Sequence, residues 1–306
     1  MKTFLNIFLL VFFCSGIFSC QSPPTKGTNQ GQVSAEKGED PFQGFLKLKP
    51  VVLDARSPLD FSVSHAPGAI LVQWQDFNKL QPGYRGILQE DEASLARRLS
   101  LWGIDPETAV LVVGSGLNGQ GEEGRVAWML KYLGVKNVQF ASWSVIRATI
   151  PRPENGPENK PTWKPAVQSQ YQASPEEFKA AVFDGQAIPS KARLKSLQMN
   201  SINAGALGSE VMVLDVRDSV SSVAALEKMR VPVKRISWKK FINSKGLPET
   251  SVQSELKTEN ITKNRQIFVI SENGVSSATV TLVLREWGFQ AKNFSGGFEF
   301  LQRALE

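Results

Sequence analysis

The chain repeats itself once, and that duplication limits what it can fold into more than any other feature. "VVLDARS" at 51–57 returns as "MVLDVRD" at 212–218, and "AVLVVGSG" at 109–116 as "QIFVISENG" at 266–274. "WMLKYLGVKNVQFASW" at 128–143 is answered by "LVLREWGFQAKNFSGG" at 282–297. Copies this far apart are duplicated domains, because a solenoid repeats every few tens of residues. In the first copy "VVLDA", "AILVQW", "AVLVVG" and "NVQFA" read as strands. "DEASLARRLSLWG" and "GRVAWMLKYLG" read as helices, each closed by glycine at its C-terminal end. Short apolar strands alternating with helices predict an α/β fold of two domains, each a central, mainly parallel sheet flanked by helices.

Composition sets the expected boundaries. Lys2 followed by the apolar run "FLNIFLLVFFCSGIF" at 4–18 reads as a signal peptide, too short to span a membrane comfortably. "IFSC" then resembles a lipobox, so residues 1–20 are expected to be a lipoprotein signal peptide whose cleavage leaves Cys20 acylated. Gln21 follows, which in the lipoprotein sorting pattern suggests an outer membrane. Location is thus expected to be exported and lipid-anchored, at an outer membrane, its periplasmic side or the cell surface. Residues 21–44, rich in Gly, Ser, Pro and Gln, are expected to form a flexible tether. The first domain is then 45–150, the linker 151–175 with its "IPRPENGPENKPTWKP", and the second domain 176–306.

Other chemistries find little support. The net charge of +6 is scattered, with no basic run interleaved with aromatics, so no nucleic-acid partner is expected. The two cysteines are Cys14 and Cys20. Loss of the first with the leader and acylation of the second leave no thiol for a disulfide or a metal, and no metal site is expected. In "GSGLNGQGEEG", Gly114, Gly116 and Gly119 have dinucleotide-loop spacing. Yet "QGEEG" intervenes before the helix, no acidic residue ends the next strand, and Glu122 and Glu123 would face a pyrophosphate. The stretch reads as a plain glycine-rich loop, and no cofactor is expected.

Ligands of parallel sheets bind where strands give way to helices. The second such loop is "SENGVS", Ser271, Glu272, Asn273, Gly274, Val275 and Ser276, between a buried strand and "SATVTLVLREWG". Gly274 permits a positive φ, and backbone N–H groups at a helix start converge into an anion site. Asp54 with Arg56, and Asp215 with Arg217, stand at strand ends to pin the following segment. Trp102, Trp128 and Trp287 read as core.

The paired "LDAR" and "LDVR" strands, "SHAPGA" after the first, and a strand, six-residue loop and helix ending in "WGF" resemble tandem rhodanese-domain proteins over residues 45–306. Members transfer sulfane sulfur through a persulfide on the cysteine that opens the active loop of the C-terminal domain. Ser271 occupies that position here, and Gly114 or Ser115 the same region of the first domain. A persulfide needs a soft, ionisable nucleophile, and a serine hydroxyl needs an adjacent base to act at all. The one histidine, His65, lies in the other domain and reads as a structural turn residue; Arg230 stands at its place in the second copy, and Val233 replaces the glycine. Glu272 also sets a carboxylate where the family places basic residues. The leader with Cys20 and the resemblance with Ser271 at the cysteine's position together lead us to expect a membrane-tethered, catalytically degenerate binding or scaffolding module with no catalytic residue. Its expected partners are lipid through Cys20, a small anion or sulfur compound at the loop, and another protein. The alternatives are residual or altered sulfurtransfer from thiosulfate or a related donor, and a reaction of Ser271.

Overall fold

The computed structural model describes residues 40–79, 81, 84–89, 91–147, 158–183, 210–219 and 224–305. The expected signal peptide, Cys20 and most of the tether lie outside the described residues. Ordered structure starts earlier than composition suggests. Asp40 caps helix α1 (Pro41–Leu46) by accepting from the Phe42 N–H, and Phe42 is buried. Phe42 reaches a core with Val52, Leu111 and Ile146, so the last residues of the expected tether belong to the folded part.

The chain then runs β1 (Val51–Asp54), α2 (Pro58–Val63), β2 (Ile70–Leu71), α3 (Glu92–Leu101), β3 (Ala109–Gly114), α4 (Glu122–Leu133), β4 (Asn137–Ser142) and α5 (Trp143–Ile146). The second copy runs α6 (Pro175–Val182), β5 (Val211–Asp215), α7 (Ala224–Glu227), β6 (Val233–Arg235), α8 (Val252–Thr258), β7 (Gln266–Ile270), α9 (Val275–Glu286), β8 (Gln290–Asn293) and α10 (Gly297–Leu305). Strand order is β2-β1-β3-β4 in one sheet and β6-β5-β7-β8 in the other, and all pairs are parallel. The two sheets are separate, each with helices packed against it, as the alternation predicts. β1, β3, β5 and β7 are nearly unbroken Val, Ile and Leu because both of their faces are covered.

Some boundaries differ from the expected ones. Of "AILVQW" only Ile70 and Leu71 pair with β1; Trp74 opens a 3-10 turn, Trp74–Phe77, and Trp238–Lys240 repeats it in the second copy. Helix α4 begins at Glu122, ahead of the expected Gly124. Of the expected linker, residues 158–175 are described, and they reach the first domain: the Trp163 indole donates to Ile104 O (2.9 Å), and the Gln168 N–H to Tyr132 O (2.7 Å). They join the second sheet before α6, where Ala173 N–H donates to Asn293 O at 2.9 Å.

Helices α4 and α9, one from each copy, pack face to face. Gly124 lets them close: a methyl there would fall on the Thr279 hydroxyl, which donates to Gly121 O at 3.0 Å. Around this seam one apolar cluster runs from Val126 and Leu130 to Ala278 and Val283, joining both sheets.

Candidate active loop

β5 pairs with β7 so that Asp215 lies opposite Ile270, and Ser271 is therefore the first residue past the strand. The chain turns within residues 271–274. Gly274, at φ +79°, is the N-cap of α9, and its Cα lies so close to Ser295 that a methyl would collide with that residue's carbonyl. Val275 and Ser276, expected in the loop, form the first turn of the helix. Val275 is buried in the apolar cluster, and Ser276 lies beside Gly121 of α4.

Ser271 is only 1% exposed and belongs to a closed ring of hydrogen bonds. Asn293 Nδ2 donates to Gly274 O at 3.2 Å, which orients the amide and leaves Oδ1 to accept. Ser277 donates its one hydroxyl proton to that Oδ1 at 2.7 Å. The 2.9 Å contact between the hydroxyls of Ser271 and Ser277 is then a bond donated by Ser271. Gly274 N–H closes the ring by donating to Ser271 Oγ at 3.1 Å. Every member is neutral. Neither Ser277 nor Asn293 is a useful proton acceptor, so nothing in the ring would strip the Ser271 hydroxyl of its proton. His65, stacked on Phe61 (4.1 Å between ring centres) with Nδ1 2.9 Å from Phe61 O, is occupied within the α2 turn.

Charge around the loop comes from the strand ends. Asp215 and Arg217 form a buried pair, with Nε 3.0 Å from Oδ1 and Nη2 3.0 Å from Oδ2. The guanidinium lies 3.9 Å over the Phe298 ring. Glu272 turns out of the ring and sets Oε2 3.7 Å from Arg217 Nη1. This cation thus answers two carboxylates of its own chain. Asp54 and Arg56 repeat the pair in the first sheet, where Arg56 Nη2 also donates to Ser64 O at 2.6 Å and so ties the strand end to the segment that follows.

The first-domain loop has the same start and a different filling. Asp54 lies opposite Val113, so Gly114 corresponds to Ser271. Gly121, at φ +89°, caps α4 as Gly274 caps α9, after a longer loop holding a 3-10 turn (Gly116–Asn118). A methyl on Gly114 would fall on Glu123 Oε2. The space that a nucleophilic side chain would take is filled by the Glu123 carboxyl, wholly buried, with Oε1 accepting from Gly116 N–H at 3.1 Å and Oε2 without a hydrogen-bond partner. Burial pushes its pKa up to about 8, with Glu122 adding to the rise, so the group is a neutral acid at pH 7. Glu123 faces inward, and a pyrophosphate would meet no open cradle here.

Sequence reasoning read Glu123 as facing a ligand where the fold buries it, and it did not single out Ser277, Asn293 or Arg125. The duplication could have found two of the four, since aligning Gly121 with Gly274 puts Glu123 at Ser276 and Gly124 at Ser277.

The family model for the Rhodanese-like domain matches residues 40–145. No curated protein sequence matches this chain closely enough to count as a relative. Among solved structures, a probable thiosulfate sulfurtransferase is 18% identical with a TM-score of 0.52, covering 84% of this chain and 96% of that one. The 3-mercaptopyruvate sulfotransferase SseA from Escherichia coli is 15% identical with a TM-score of 0.56, covering 82% and 93%. Tum1 protein from Saccharomyces cerevisiae is 13% identical with a TM-score of 0.57, covering 86% and 94%. Identity this low speaks for the fold alone. Both sheets with their helices have the rhodanese fold.

Proposed function

We propose that this protein is a membrane-tethered member of the rhodanese fold whose second-domain loop has kept its shape and lost its thiol chemistry, and that it serves as a binding or scaffolding module. The observation that carries this reading is the Ser271 hydroxyl, buried and closed into a neutral ring at the nucleophile's position. No residue from 21 to 306 is a cysteine, so no thiol from elsewhere in the fold takes over. The loop retains the start of a twelve-residue helix, a place that suits a small anion or a sulfur oxyanion. Glu272 beside it weakens that attraction. Tethering rests on the apolar leader and Cys20; among the described residues no helix is long and apolar enough to cross a membrane.

The test pairs two assays on the purified protein. Thiosulfate with cyanide should give no thiocyanate above the uncatalysed rate, while sulfate or thiosulfate should raise the melting temperature. Wild-type turnover like that of an ordinary sulfurtransferase, kept after Cys14 and Cys20 are changed to serine, would favour the alternative of an altered sulfurtransferase.

A further inference from the structure

A hairpin from each domain reaches the opposite one: onto the end of β4 in the first domain, and onto the loop itself in the second. After the 3-10 turn at Trp238, the strands bridged at Ile242 and Pro248 carry Gly246 to the first sheet, where Ser142 N–H donates to Lys245 O at 2.9 Å. A methyl on Gly246 would lie 2.5 Å from Ser142 N. After the 3-10 turn at Trp74, the hairpin bridged at Asn78 and Leu88 carries Gly86 onto the second loop. A methyl on Gly86 would collide with the carbonyl oxygens of Asn273 and Ser295. Tyr84 meets the edge of Phe300 on α10, with ring centres 5.6 Å apart.

The two covers are held differently. Behind the strap over the second loop lies Arg125 of α4, 1% exposed, with Nη2 donating to Gly86 O at 2.5 Å and to Asn78 Oδ1 at 2.8 Å. Its guanidinium lies 4.4 Å over the Trp128 ring, and Nη1 makes no hydrogen bond. No described carboxylate pairs with it, and burial lowers its pKa to about 9. A buried cation with no counter-ion among the described residues is costly, which calls for a compensating task. One of its bonds goes to Gly86 at the middle of the strap and the other to Asn78, which is bridged to Leu88 at the foot of the hairpin. Counting from the helix caps Gly121 and Gly274, the position of Arg125 is Ala278 in the second copy, so the other strap has no such anchor.

We propose that Tyr84–Leu88 is an autoinhibitory strap that shuts the second-domain loop, and that Arg125 is its latch. This concerns the regulation of the same loop and so rests on the reading that the loop is the binding element. Its test, however, reads access to position 271 and does not depend on what binds there.

The reporter is the full chain carrying Cys14→Ser, Cys20→Ser and Ser271→Cys, and the readout is the rate of thiol modification by iodoacetamide. A second reporter, with Val112→Cys in the core of the first sheet in place of Ser271→Cys, monitors general loosening. Arg125→Met, Arg125→Lys and Gly86→Ala are introduced separately into each. Losing a bond to a charged donor in Arg125→Met, and pushing a methyl against Asn273 O and Ser295 O in Gly86→Ala, should each raise local opening, and with it the modification rate at position 271, about tenfold or more. Arg125→Lys, which keeps the charge and its N–H donors but not the guanidinium's fork, should fall between these and the parent, and the rate at position 112 should stay unchanged. Equal rates at position 271 in all variants would overturn the latch, as would a parallel rise at both reporters.

Discussion

Glu123→Gln should separate the cost of burying a carboxyl from the benefit of filling the first loop. The native state holds the Glu123 proton up to about pH 8, whereas the unfolded chain releases it near the ordinary value of 4.5. Stability from this group is therefore fully present below pH 4.5 and lost as pH rises towards 8, at about 1.4 kcal/mol per pH unit. Glutamine keeps the acceptor for Gly116 N–H and the volume facing Gly114, and it has no proton to release. The variant should gain on the wild type by about 3 kcal/mol between pH 5 and pH 7, both states being followed by urea unfolding at equal slope. The difference must widen steadily with pH. Two urea midpoints that move in parallel across this range would refute the buried, neutral carboxyl.

Gly274→Ala forces a side chain into positive φ and against Ser295 O, and should cost at least about 2 kcal/mol in urea unfolding. Asp215→Asn strips the buried partner from Arg217 and should destabilise by about 3–5 kcal/mol, seen as a lower melting temperature. Glu272→Gln removes an exposed carboxylate near the α9 N-terminus and should tighten sulfate or thiosulfate binding about two- to fivefold by calorimetry. Cys20→Ala should abolish metabolic labelling with a fatty acid and release the protein from the membrane fraction; a variant that stays labelled would contradict lipidation.

Both sheets were legible because period and composition agree wherever strands are buried on two faces, as at Val110–Val113 and Ile267–Ile270. The start of α4 was not, because Glu123 and Arg125 read as surface residues while the fold hides both inside. Ser277 and Asn293 meet only because β8 lies beside β7, a proximity that no local pattern announces. Gly86 and Gly246 answer each other across the domains, but their hairpins differ in length and share no motif, so the duplication could not align them. The position of Ser271 was readable from strand, glycine and helix alone. The bonds that hold its hydroxyl were not, since they need the third dimension.

The most direct measurement of the central claim is the intact mass of the protein after thiosulfate treatment, taken for the wild type and for Ser271→Cys, each with Cys14→Ser and Cys20→Ser. In the cysteine variant a thiolate can attack the outer sulfur of thiosulfate, forming a new S–S bond while sulfite leaves with the electron pair. If the loop has kept its shape and lost only its nucleophile, Ser271→Cys should gain one sulfur atom, removable by cyanide, and the wild type should gain none. A wild-type chain that acquires the sulfur would contradict the account, as would a cysteine variant that stays unmodified even with the strap released by Gly86→Ala.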